Sequence, residues 1–143
     1  LFLLNTRLLV ASQSIGIAQA SLDEEVRYAN ERSQFNSKIG RFYAVQDFIA
    51  QDEISIETSR SVTYGAASML SSTERVRDSC IAKISASNAA VQSARHSIRI
   101  HGGYGFVRDY PVERYLRDAR ATQLYIEPNE ALKAKIAESL LLR

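Results

Sequence analysis

An all-α fold, an antiparallel up-and-down four-helix bundle with an additional short C-terminal helix, is what this sequence predicts, and three observations carry the expectation. Apolar residues recur at spacings of three and four over three long stretches, the period of a helix face. Only two prolines, Pro111 and Pro128, occur among 143 residues, so nothing before Pro111 forbids long helices. The breaks between the periodic stretches are short, and long helices joined by short turns must lie antiparallel.

The first helix is expected from about Leu3 to about Arg32, with Leu8, Val10, Ala11, Ile15, Ala18, Leu22, Val26 and Ala29 on its apolar face. Gly16 falls inside this pattern at some cost in helix propensity, and close packing against another helix is its expected use. Ser33 to Arg41 is polar, contains Asn36, Ser37 and Gly40, and reads as the first turn. The second helix is expected from about Ala44 to about Leu70, with Val45, Phe48, Ile49, Ile56, Val62, Ala66 and Met69 inward. Ser71, Ser72 and Thr73 break the pattern, and Thr73 suits the N-cap of a third helix. That helix is expected to reach about Ile100, with Val76, Cys80, Ile81, Ile84, Ala90, Val91, Ala94 and Ile98 at helical spacing. Its many small residues allow close approach of neighbouring helices. After the break at His101-Gly-Gly-Tyr-Gly-Phe106, Pro111 suits the first turn of a short helix reaching about Arg120. Residues 121–127 read as a loop, and Pro128 can open a last helix through Leu142. Residues 1–143 read as a single domain.

Composition is that of a soluble globular protein, with 45% hydrophobic and 24% charged residues. A net charge of +2, from 18 basic and 16 acidic residues, makes no case for nucleic acid or an anionic membrane. The single cysteine, Cys80, excludes an intrachain disulfide. The apolar opening, Leu1 to Leu4, is too short to span a bilayer and lacks the flanks of a signal peptide. An upstream part of the protein is expected to be absent from this sequence.

The glycine segment is the strongest local motif. Gly102, Gly103 and Gly105 let the backbone approach a ligand closely, and bare N–H groups there can meet a phosphate or a ring edge. Taken alone it is equally a tight interhelical turn, and no strand precedes it as a dinucleotide fingerprint requires. Arg108, Arg114, Arg117 and Arg120 form a basic run that Glu113 and Asp118 can neutralise, so a solvated, salt-bridged face is expected. His96 and His101 have no Cys or carboxylate at metal-ligand spacing; one reads as a helix-surface residue and the other as a helix-terminal one. The seven tyrosines read as packing residues with wet hydroxyls.

The order of the pieces is more specific than any one of them. Gly16-Ile-Ala-Gln-Ala20 is followed by Glu31-Arg-Ser-Gln-Phe35, then Arg99-Ile-His-Gly-Gly-Tyr-Gly-Phe106, Tyr110-Pro-Val-Glu-Arg114, Arg117-Asp-Ala119 and Gln123-Leu-Tyr125. This succession strongly resembles the C-terminal helical domain of acyl-CoA dehydrogenases, over nearly the whole chain. The resemblance implies one part of a three-domain flavoprotein that holds FAD, acts on an acyl-CoA thioester, assembles as a homo-oligomer (a dimer or tetramer) and can pass electrons to a protein partner. The usual reaction takes the α proton with a carboxylate base while the β hydride goes to the flavin. Two compartments fit the resemblance, the bacterial cytoplasm and the mitochondrial matrix.

Site residues follow from the same resemblance. Arg32, Gln34 and Phe35 match the motif that reaches FAD across the dimer interface, with Arg32 meeting the pyrophosphate. Gly102 and Gly103 match glycines whose backbone approaches the same cofactor. Arg99 stands where many members have a glutamine that contacts it, and Asn36 replaces the usual glycine of the first motif. Arg7 is expected to contact the substrate. The common catalytic text is Tyr-Glu-Gly-Thr, whereas here it is Tyr125-Ile-Glu-Pro-Asn-Glu130. Ile126 therefore occupies the base position, and Thr6, which matches the alternative base position of some relatives, is not a carboxylate either. Glu127, one residue late, is the candidate catalytic base. Its competing role is a helix N-terminal carboxylate interacting with the helix dipole. Three functional readings follow: a working dehydrogenase, a homologue with altered or lost chemistry, and a helical oligomerisation module.

Overall fold

The computed structural model describes residues 2–68 and 73–141. Five helices account for nearly all of them: α1 (Phe2–Glu31), α2 (Tyr43–Ser68), α3 (Thr73–His101), α4 (Val112–Thr122) and α5 (Asn129–Leu141). Side-chain pairs fix their directions. Arg7 meets Ser79, and Tyr28 stacks on His101, so α1 and α3 run the same way. Ser59 meets Ser85 while Asp52 meets His96, so α2 runs against them. Helix α3 is central and packs against the other four. The bundle and its shorter C-terminal pair are those expected from the periodicity.

The core explains the small-residue composition of α3. Ala82, Ala86, Ala90 and Ala94 repeat every fourth residue and are buried against Ala11, Ile15, Ala18 and Leu22 of α1, with Ile56 and Ala66 of α2 and Ala119 of α4 completing the layer. A methyl-sized side chain at each turn lets the helix axes come close and gains burial with little side-chain entropy lost. A second cluster of Tyr28, Ala29, Ile39 and Ile100 seals the end where α1 and α3 terminate, under Val45, Phe48 and Tyr110.

Several placements differ from expectation. Val26 and Val76 are exposed: each lies on the helical period but on the flank of the stripe that the neighbouring helices cover. Gly16 has open space where a Cβ would stand, so among the described residues no close helix contact requires a glycine there. Helix α4 continues to Thr122, where Thr122 Oγ1 donates to the Ala119 carbonyl at 2.7 Å, shortening the expected 121–127 loop from its front. Met69, Leu70, Ser71, Ser72 and Leu142 lie outside the described residues.

The first turn carries more structure than its composition suggested. Ser33–Gln34 (β1) pairs antiparallel with Ser37–Lys38 (β2), and the two linking residues, Phe35 and Asn36, have φ of 50° and 58°. Positive φ at both central positions is the I′ pattern of a two-residue hairpin. Asparagine tolerates it well; the aromatic Phe35 is strained there. The glycine segment continues α3 as a 3-10 turn, Gly102–Phe106. Gly102 has φ +59°, and a Cβ on Gly105 would stand 2.7 Å from the Ile98 carbonyl oxygen, so each is required for a different reason.

Candidate functional site

The chain reversal after α1 and the 3-10 turn after α3 lie side by side, because α1 and α3 end at the same end of the bundle. Between them is a groove of about 420 Å³ lined by Arg32, Gln34, Gly102, Gly103 and Tyr104, with Tyr28, Ile39, Ile100 and His101 as its floor. Four of the sequence-predicted cofactor residues, far apart in the chain, therefore share one surface. The Arg32 guanidinium stands 5.7 Å from the centre of the Tyr104 ring. Among the described residues it meets no carboxylate, which leaves its donors for an anion. No atom comes within 4 Å of where a Cβ of Gly103 would stand, so a ligand can lie against bare backbone there.

His101 is not a solvent-facing helix terminus. It is buried, stacked on Tyr28 at 4.1 Å, with its Nδ1 2.7 Å from the Ser97 carbonyl. Nδ1 therefore donates and Nε2 is left as a buried acceptor without a partner. Burial pushes its pKa down, outweighing the Ser97 bond, so the ring is held neutral. A flat apolar floor, a free guanidinium and a glycine backbone suit an aromatic dinucleotide, and these residues fit FAD.

Two cofactor candidates stand elsewhere. Phe35 is 92% exposed at the tip of the hairpin, outside the groove lining. Arg99 projects from another face of α3, its guanidinium 5.7 Å from the centre of the Phe48 ring, in a separate groove with Arg95 and Arg120.

The opposite end of the bundle holds Arg7 and Glu127. Glu127 N donates to the Tyr125 carbonyl at 2.9 Å, closing a γ-turn around Ile126, whose φ is +66°. Positive φ at a β-branched residue is strained. It leaves Ile126 half exposed while the Glu127 carboxylate points inward. There Arg7 Nε donates to Glu127 Oε2 at 2.7 Å, Arg7 Nη1 donates to Ser79 Oγ at 3.3 Å, and Lys135 Nζ takes the other carboxylate oxygen. The bond from Arg7 is the main cause holding the Glu127 pKa below the usual range, with Lys135 adding to it against the cost of burial. Arg7 is itself buried, so its guanidinium is committed to Glu127 and Ser79.

The loop carrying Glu127 is fixed by Lys83, which the sequence reading passed over. Lys83 is 1% exposed, and its Nζ donates to the carbonyls of Gln123 at 3.2 Å and Glu127 at 2.8 Å and to Asn129 Oδ1 at 2.8 Å. Its position one residue past Ala82 and four before Ser87 put it on the buried side of α3, which was the available signal. A second polar cluster was also missed. Asp52 is fully buried, with His96 Nδ1 3.0 Å from both carboxylate oxygens and Gln92 Nε2 donating at 3.1 Å. His96 is thus half-buried and bonded inward to Asp52, where a plain helix-surface residue was expected; its ring also stacks on Phe48 at 4.4 Å. Beside Asp52, Glu25 is fully buried and neither of its oxygens has a hydrogen-bond partner. Asp52 falls between Phe48 and Ile56 at helical spacing, so the inward face of α2 passes through it. Of the basic run only Arg117 meets an acid among the described residues, with two bonds to Glu113 at 2.9 and 3.0 Å, while Arg114 lies over the Tyr115 ring and Arg120 donates to Gln123.

The five-helix arrangement thus sets Arg32 and the hairpin after it beside the glycine turn at one end of an all-α domain. The family model for the acyl-CoA dehydrogenase C-terminal domain matches residues 2–141, and the chain belongs to that family. Among curated relatives, it is 38% identical over 136 residues to a 3-(aryl)acrylate reductase of Clostridium sporogenes, covering 94% of this chain and 36% of the relative. It is 39% identical over 137 residues to the mitochondrial short-chain specific acyl-CoA dehydrogenase of Mus musculus, covering 94% of this chain and 33% of that protein. The solved butyryl-CoA dehydrogenase of Megasphaera elsdenii superposes with a TM-score of 0.93 at 36% identity, over 99% of this chain and 37% of that one. The chain thus spans about a third of the length of the curated relatives it matches. Among the described residues, no helix is long and apolar enough to cross a membrane.

Proposed function

We propose that the protein carrying this chain is an FAD-dependent acyl-CoA dehydrogenase, and that this domain supplies cofactor contacts and part of the subunit interface. The carrying observation is the groove that unites Arg32, Gln34, Gly102 and Gly103. Arg32 would hold phosphate oxygens through paired N–H donors, and the bare backbone of Gly102 and Gly103 would leave room for the cofactor. Phe35, held out on the hairpin tip, would contact the same cofactor from its margin, so that Arg32, Gln34 and Phe35 together reach an FAD held by a second copy of the chain. FAD, when bound, supplies the hydride acceptor. The exposed apolar residues Phe35, Tyr43, Ile54 and Tyr64 support association into a homo-oligomer, since such residues are covered at interfaces. The acyl-CoA substrate and any electron-transfer partner require the rest of the protein, and the isolated chain is expected to be inactive.

Within this reading Glu127 is the base for the α proton, positioned by Arg7. A specific observation favours the second reading, a homologue with altered chemistry: Glu127 lies between two cations, which hold it ionised but weaken it as a proton acceptor. The full-length protein, mixed anaerobically with a panel of acyl-CoAs, separates the two by flavin absorbance. Bleaching that falls by about a hundredfold or more in rate in Glu127→Gln supports the dehydrogenase with a displaced base. Bound flavin that no acyl-CoA reduces supports altered chemistry, and absence of flavin overturns both.

A further inference from the structure

Glu25, near the end of α1, and Asp52, in the first half of α2, stand together at the base of the chain reversal that carries Arg32 and Gln34. Both are fully buried. His96 and Gln92 of α3 donate to Asp52, but no donor reaches either oxygen of Glu25. The polar group against Glu25 is the Asp52 carboxyl. Two carboxylates are both acceptors, so only a proton can join them. The donors from His96 and Gln92 offset the cost of burying the Asp52 charge. Glu25 is therefore the member that keeps the proton and donates it to Asp52.

Among the described residues, no cation bonds to Glu25 that could hold it once ionised. Along α1, Glu24 and Arg27 pair with each other, and Tyr28 is stacked on His101. On α2, Asp47 is bonded by Gln51, and Glu53 is exposed. On α3, the Arg99 guanidinium lies against the Phe48 ring. The cluster is also joined to the groove by packing. Tyr28 and Ala29 follow Glu25 by about one helical turn, and Phe48 precedes Asp52 by about one. Phe48 stacks on His96 and packs against the cluster of Tyr28, Ala29, Ile39 and Ile100. Three of those residues are the floor beneath Arg32 and Gly103.

We infer that Glu25, Asp52 and His96 form a proton-dependent latch at the base of the hairpin: with its shared proton the cluster clamps α1 to α2 and α3, and without it the groove end opens ahead of the rest of the bundle. The chemical step is a proton transfer alone. The Glu25 O–H bond breaks, solvent takes the proton, and two carboxylates are left face to face. Their repulsion in a dry interior is relieved by admitting water, which is local opening. Once opened, Glu25 titrates in the ordinary carboxylate range; closed, its carboxyl is pushed up to about 9, first by burial and then by Asp52. The latch therefore weakens progressively as pH rises across that interval and depends on pH no further above it. Its consequence for flavin, a looser Arg32 hairpin in alkaline solution, rests on the cofactor reading above.

Amide hydrogen exchange of the full-length protein, read as protection relative to the unstructured rate at each pH, tests the latch. Between about pH 6 and 8, protection of residues 26–32 and 43–51 is expected to fall about tenfold per pH unit, with residues 8–18 more protected throughout. Glu25→Gln can donate to Asp52 but cannot ionise, and its protection is expected to stay level. Asp52→Asn offers Glu25 a donor, so in that variant the fall is expected to end at a lower pH. Level protection in the native protein, or an equal fall in Glu25→Gln, overturns the latch. Residues 8–18 no better protected, and falling in step, would show the whole bundle opening and overturn a local device. Flavin is measured in the same samples. Native protein without flavin overturns the cofactor reading, while the exchange result still decides the latch. Faster flavin release at pH 9 than at pH 7, absent in Glu25→Gln, supports the link to the groove, and equal release in both proteins overturns that link.

Discussion

The two ends of this bundle treat their polar groups in opposite ways. Where α1 and α3 begin, Arg7, Lys83, Lys135, Asn129 and Glu127 bond to one another and to the loop backbone. Where the same helices end, among the described residues Arg32 meets no carboxylate, His101 Nε2 has no partner, and Gly103 faces open space. At the first end these named groups satisfy one another. The second displays donors, bare backbone and an apolar floor to something the chain does not contain. Buried polar groups are ordinarily satisfied, which points to the open end as the cofactor end, while the other end holds the strained Ile126 turn and the Glu127 carboxylate in place through their own bonds.

Breaking the closed end gives the largest expected effect. Lys83→Met removes the donor that three acceptors share, leaving buried oxygens unsatisfied. A loss of about 3 kcal/mol follows, read as a lower midpoint in denaturant titration. An unchanged midpoint would show that the loop does not depend on Lys83.

A somewhat smaller effect, of opposite sign, is expected at the buried carboxyl pair of Glu25 and Asp52. The Glu25 carboxyl is pushed up to about 9, first by burial and then by the neighbouring Asp52 charge. Between the ordinary carboxylate range and that value, the unfolded chain releases a proton that the folded chain keeps. Stability therefore falls as pH rises across that window. Glu25→Gln cannot ionise and is expected to gain on the order of 2 kcal/mol at pH 7, flattening melting temperature against pH between 5 and 8. Parallel curves for the two proteins would contradict a protonated Glu25.

Much of the fold was legible because α3 and α1 obey a single period over many turns, and the short polar breaks left no topology but an antiparallel one. The flavin groove was legible only through the order of motifs, since nothing local in Arg32 or Gly103 shows that α1 and α3 finish at the same end. Lys83, Asp52 and Glu25 were illegible for a different reason. Charged residues on a helix are ordinarily solvated, and only their place on the inward face separated them from that rule. Glu127 was legible as a residue but not as a geometry, because the γ-turn at Ile126 that turns it inward follows from a backbone angle that isoleucine ordinarily avoids.

The flavin content of the purified full-length protein, compared with that of Arg32→Ala, tests the central claim most directly. Arg32 is exposed and makes no ion pair among the described residues, so its loss leaves the bundle intact, as an unchanged melting temperature of the flavin-free protein verifies. The account predicts flavin bound to the native protein and about tenfold or weaker retention in the variant, since a paired guanidinium–phosphate contact is lost. Native protein without flavin, or a variant that retains it undiminished, would contradict the assignment of the open end as the cofactor groove.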